Sequence, residues 1–132
     1  IKIVIISNIM MEPKIVTKKI SKEELKKIIN ENFKTMVKVD VDVKQEILTI
    51  GGEWHSEGDE LLSKNGSSRE DVWGVNFYPW NPKKKRVEYA SLINIKPTLG
   101  HRDMEIKDNG LREKIHLIIE KLLLSDDEKL DV

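Results

Sequence analysis

The chain contains no cysteine. That excludes disulfides and every thiolate metal site, and leaves histidine and carboxylate as the strong metal ligands. It has no excess of charge of either sign: Lys+Arg and Asp+Glu each number 23 in 132 residues. Such a balance argues against a general affinity for nucleic acid or an anionic membrane. No apolar run approaches the roughly 20 residues of a membrane-spanning helix. The stretch I-K-I-V-I-I-S-N-I-M-M at the start lacks the basic n-region, long h-region and small-residue cleavage site of a signal peptide. A cytoplasmic protein is the expectation, with no membrane partner and no cofactor.

The length suits one domain with a single core that needs no covalent staple. Residues 1–12 read as an N-terminal extension or an extra strand adding to the sheet or to a partner chain, with Met10 or Met11 as an alternative start. Residues 13–124 read as the domain, and 125–132 as a frayed acidic tail.

Within the domain, Ser21 and Glu24 have capping-box spacing, Ile20 and Leu25 that of a hydrophobic staple, and Leu25, Ile28, Ile29 and Phe33 mark an apolar helical face. Val37, Val39, Val41 and Val43 alternate with Lys38, Asp40 and Asp42, the pattern of a half-buried strand whose charged face is wet. A second strand over Ile47–Ile50 follows a turn without the usual Gly or Asn. A short helix over Glu57–Lys64 is expected, with Ser56 as its N-cap. Asp71–Pro97 predicts the central hairpin. Trp73, Val75 and Phe77 alternate on its first arm, and Val87, Tyr89, Ser91, Ile93 and Ile95 on its second. A last helix from about Asn109 to Leu124, capped by Asp108, buries Leu111, Ile115, Ile118, Ile119 and Leu122. Together these predict a single α+β domain: a mostly antiparallel sheet of four to six strands packed with an N-terminal and a C-terminal helix.

Five motifs occur in order: G-G-E-W-H at Gly51–His55, D-E-L-L-S-K-N-G-S at Asp59–Ser67, D-V-W-G-V-N-F-Y-P at Asp71–Pro79, S-L-I-N-I-K-P at Ser91–Pro97 and G-H-R-D at Gly100–Asp103. With them the chain resembles a family of small prokaryotic proteins classed only as a domain of unknown function, over about residues 14 to 124. The resemblance implies a single cytosolic domain and supplies no activity. His101 stands where the family pattern has Asn, which counts against His101 as a shared catalytic group, and Glu46 where it has a turn glycine.

Glu53, His55, Asp71, His101 and Arg102 form the candidate polar site, with His55 and His101 as candidate metal ligands. They converge at one sheet edge if Ile47–Gly51 runs antiparallel to Val72–Tyr78, the favoured arrangement, and separate if the short helix makes a parallel crossover. Converged, they suit acid–base or metal-assisted hydrolysis, with Arg102 holding an anion. Against this stands a structural reading in which Glu53 and His55 anchor the loop and Arg102 pairs with Asp71. Trp54 and Trp80 sit in loops and mark a contact surface if exposed. Lys83, Lys84, Lys85 and Arg86 form a basic turn able to meet phosphates, though a charged hairpin tip is more often solvated. Asn76 and Asn94 read as hydrogen-bonding across the hairpin, and His116 as structural.

Three functions follow in rank. The first is a small regulatory or protein-interaction module without catalysis, with homo-oligomerisation as one form. The second is a small metal-dependent hydrolase-like enzyme at the polar site. Nucleic-acid binding through Lys83–Arg86 ranks last.

Overall fold

The strand Val37–Asp42 (β2) organises the sheet, because both of its edges are paired. The computed structural model, which describes residues 12–130, has a five-stranded antiparallel sheet. Its order is β1 (Lys14–Val16), β3 (Ile47–Ile50), β2, β4 (Val72–Phe77), β5 (Val87–Glu88). The strand or arm expected at the N-terminus falls, but for Glu12, outside the described residues.

The valine face of β2 packs as its period of two predicts. Val37, Val39 and Val41 join Leu48, Ile50, Trp73, Val75 and Phe77 in one core. Two helices close that core, α1 (Lys22–Asn30) through Leu25, Ile28 and Ile29, and α3 (Asn109–Leu122) through Ile115, Ile118, Ile119 and Leu122. Each such side chain, fully buried, contributes about 1.5–3 kcal/mol. Both helices begin at side-chain caps: the Ser21 hydroxyl accepts from the Glu24 N–H at 3.1 Å, and the Asp108 carboxylate from the Leu111 N–H at 3.0 Å. No helix among the described residues is long and apolar enough to cross a membrane.

The charged face of β2 departs from the expectation. It is not wet: Asp40 and Asp42 are 2% and 1% exposed. A second helical layer, α2 (His55–Lys64), lies over this face, so the sheet is sandwiched. The helix starts two residues before the predicted boundary, and its first turn is held not by Ser56 but by Glu57. That carboxylate accepts from the Glu53 and Trp54 N–H groups, both at 2.8 Å. Asp42 ends β2 by accepting from the Lys44 and Gln45 N–H groups, the Gln45 side-chain amide and the Ser67 hydroxyl. Burial pushes its pKa up, but these four donors outweigh that and hold it below the ordinary value. In the turn that follows, Glu46 has φ 58°, the left-handed region that glycine occupies without strain.

The second hairpin arm is also shorter than its alternation suggests. Only Val87–Glu88 pairs with β4, and Leu92–Asn94 is a 3₁₀ turn. The reason lies in Asn94. Its side chain accepts from the Gly74 N–H at 2.8 Å and donates to the Gly74 carbonyl at 2.9 Å, taking the ladder positions a longer strand would use. Asn94 thus bonds backbone across the sheet, though from a turn rather than a facing strand.

The segment expected to fray is tied down as far as it is described. Arg86, 6% exposed, donates to the carbonyls of Asn81, Ser125 and Glu128, and Leu130 is buried.

Candidate functional site

The polar layer between α2 and the sheet exists because two glycines leave room for it. A Cβ on Gly58 of α2 would fall 2.1 Å from Asp40 Oδ2 and 2.3 Å from Thr49 Oγ1. A Cβ on Gly74 of β4 would meet Ser91 at 2.7 Å and His55 Nδ1 at 3.0 Å. Real Cβ contacts do not approach this closely, so the bare backbone is what lets α2 settle over the sheet with His55 tucked beneath.

His55 occupies that space, 8% exposed. Its Nδ1 lies 2.7 Å from Asp40 Oδ1 and its Nε2 3.0 Å from Asn76 Oδ1. The Asn76 amide is oriented by Glu88, whose Oε1 accepts its N–H at 2.8 Å. The Asn76 carbonyl therefore faces the imidazole, and Nε2 must carry a hydrogen. One more proton fills the short Asp40–His55 contact, on the ring or on the carboxyl. Burial pushes the Asp40 carboxyl up to about 6, against the lowering effect of its bond to His55, with the nearby Asp59 adding to the rise. The result is a hydrogen-bonded row, Asp40–His55–Asn76–Glu88, running from the buried middle of β2 to the exposed edge strand β5.

A cleft of about 260 Å³ opens beside this row. His55, Ser56, Asn76 and Ser91 supply polar groups, and Lys38 stands in the wall. The apolar lining includes Trp54, Leu92 and Met104, which are 62%, 69% and 45% exposed.

The remaining sequence candidates lie elsewhere. β3 and β4 do not pair; both are antiparallel to β2 and run the same way, with α2 crossing between them. The favoured antiparallel pairing of these two strands is thus corrected. The end of β3 and the start of β4 fall at opposite ends of the sheet, separating Glu53 and His55 from Asp71. Glu53 is exposed, and its backbone N–H serves the α2 cap. Asp71 accepts through its carbonyl from the Val43 N–H. His101 packs its ring edge-on to Trp73, centroids 4.8 Å apart, and exchanges backbone bonds with Lys96. Arg102 is exposed and makes no ion pair with Asp71.

Of the two loop tryptophans, Trp54 is exposed. Trp80 leans on the core and donates its Nε1–H to the Lys34 carbonyl at 2.8 Å. In the basic turn, Lys83, Lys84 and Lys85 are exposed while Arg86 is committed to carbonyls. His116 bonds Asp126 at 3.0 Å and so helps fasten the segment after α3.

Sequence reasoning found His55 and Asn76 but set Asp40 aside as a solvated charge. One signal pointed to it: the buried face of α2 carries His55, Gly58 and Asp59 with a single leucine, Leu62, at helical spacing, where an apolar stripe is the rule. A helix that is polar on its inner face needs polar partners beneath it.

A family model described as Protein of unknown function (DUF5674) matches residues 14–122. No curated protein and no solved structure matches the chain.

Proposed function

The chain belongs to that family of unknown function, which hands down no activity, and we propose on the site's geometry that the domain is a non-catalytic binding module whose cleft receives the apolar part of a ligand. One observation carries this reading. Both ring nitrogens of His55 are engaged by the protein's own Asp40 and Asn76, while the apolar rim of Trp54, Leu92 and Met104 is left in water. A general base needs a free lone pair facing the substrate; this imidazole has none. An exposed apolar rim around a few fixed polar groups is the ordinary make-up of a binding pocket. The module fits a regulatory role in the cytosol, and self-association through the same rim is its oligomeric form.

The test is an amide-shift titration by NMR with phenylbutanol, a neutral amphiphile. The expected result is shifts clustered at Trp54–Ser56, Asn76 and Ala90–Ile93, abolished in Leu92→Asp. Shifts scattered over the surface, or unchanged in that variant, overturn the proposal.

The raised pKa of Asp40 favours a second reading, acid–base catalysis, in which a substrate displaces Asn76 from His55 Nε2.

A further inference from the structure

We infer that the ligand of this cleft is a small free carboxylic acid, its apolar body on Trp54, Leu92 and Met104 and its carboxylate at Lys38. The inference rests on the reading of the cleft as a binding site and adds the chemistry of what it binds.

The first support is charge. The side chains that line the cleft include one lysine and no carboxylate, although the chain as a whole carries as many acids as bases. The two carboxylates bonded to its lining residues His55 and Asn76 are occupied. Asp40 lies behind His55, and Glu88 accepts from Asn76 and from the Tyr78 hydroxyl. Lys38 itself has no acid within 4.0 Å among the described residues, and its ammonium lies over the Phe33 ring, 5.6 Å from the centroid. Most described lysines likewise lack a carboxylate within 4.0 Å, Lys14, Lys19, Lys64 and Lys107 being the paired ones; what sets Lys38 apart is its place in the lining of the cleft. A lysine among otherwise neutral lining residues favours an anionic group on whatever enters, provided its flexible stem carries the ammonium from the Phe33 ring to the cleft.

The second support limits that anion to a single charge. One lysine and neutral hydroxyl and amide groups suit a carboxylate. A phosphoryl dianion calls for more donors, of the kind a forked arginine or a row of backbone N–H groups supplies.

The third support is the size and closure of the site. About 260 Å³ accommodates a ring or short branched chain with its acid group. The neighbouring backbone is not open to an added strand: the Ser91 N–H already donates to the Met104 carbonyl, and Ala90 bridges to Glu105. A peptide therefore cannot dock there by extending the sheet, which favours a free small molecule over a protein segment.

The experiment compares phenylbutyrate with phenylbutanol, two ligands alike but for the carboxylate, by NMR titration and calorimetry on the full chain. In the wild type the acid is expected to bind about three- to fivefold more tightly than the alcohol, as suits one partly solvated ion pair. High salt is expected to erase the advantage. Lys38→Met, which keeps the length of the side chain, is expected to remove it while leaving the alcohol's affinity unchanged. Equal binding of acid and alcohol in the wild type overturns the inference and leaves the cleft reading standing. Failure of both to shift the cleft amides overturns the two together. Tighter binding of a short peptide ending in phenylalanine with a free C-terminal carboxylate overturns the small-molecule source.

Discussion

Gly58 and Asp40 are in contact across the interface of α2 with the sheet so closely that no side chain fits between them. In an exposed helix, Gly→Ala stabilises by about 1 kcal/mol. Here the sign reverses, because the new methyl would sit 2.1 Å from Asp40 Oδ2. Lifting α2 to make room breaks the contacts of His55 as well. Gly58→Ala is expected to cost more than about 3 kcal/mol in urea unfolding. A stable, wild-type-like Gly58→Ala protein would show that the helix does not lie where described.

Asp40 couples stability to pH. Its pKa rises on folding from the ordinary 3.8 to about 6. A carboxyl raised in this way favours the folded state in full below 3.8, and that contribution is lost as the pH climbs through about 6. Asp40→Asn removes the titration and keeps a hydrogen-bonding partner for His55 Nδ1, to which the amide N–H can donate. Relative to wild type, Asp40→Asn is therefore expected to gain about 2–3 kcal/mol as the pH rises across this window. Denaturant unfolding at a series of pH values measures it, and parallel curves for the two proteins would sink the assignment.

Glu46 holds a left-handed backbone conformation that costs a side-chain-bearing residue about 1 kcal/mol. It is exposed and its backbone N–H closes the turn onto the Asp42 carbonyl. Glu46→Gly should raise the urea midpoint by an equivalent of about 0.5–1 kcal/mol without altering the slope.

Arg86 is the fastening of the C-terminal segment. Truncating it to Met leaves the carbonyls of Asn81, Ser125 and Glu128 without their donor. A loss of about 2–3 kcal/mol and faster tryptic cleavage at Lys129 are expected. Alanine at Lys83, Lys84 or Lys85 should change stability by no more than about 0.5 kcal/mol. Similar losses at all four positions would contradict the division of the turn into one buried and three solvated residues.

Much of the architecture was legible in the chain because each core element states its own period. The valines of β2, the Trp73–Val75–Phe77 face and the stripe of α3 all pack where their spacing puts them. The capping residues Ser21 and Asp108 do what their position suggests. What could not be read is the cover over the second face of the sheet. A Lys–Asp–Asp alternation looks the same whether water or a polar helix lies above it. Only the distant α2 decides the matter, and its own sign is a glycine, that is, an absence of atoms. The hairpin arm misled for a related reason: Ser91 and Asn94 sit in register for a strand but spend their side chains on backbone groups. Direction of travel was the last gap, since a connection from Gly52 to Glu70 permits either pairing of β3 with β4.

The polarity of the layer beneath α2 bears on how the protein moves. Were α2 to lift away, the sheet surface laid bare would carry Asp40, Asp42, Thr49 and Asn76, all at home in water, while the apolar core stayed shut under α1 and α3. Such an excursion exposes little hydrocarbon beyond Leu62 and Val72. It therefore falls well short of the free energy of global unfolding. In hydrogen exchange, the amides of α2 should open by this partial route while those of β2, bonded on both sides, wait for the whole domain. The wall of the cleft that bears Trp54, His55 and Ser56 would thus belong to the least anchored layer of the molecule, able to admit a ligand without disturbing the core that holds the fold.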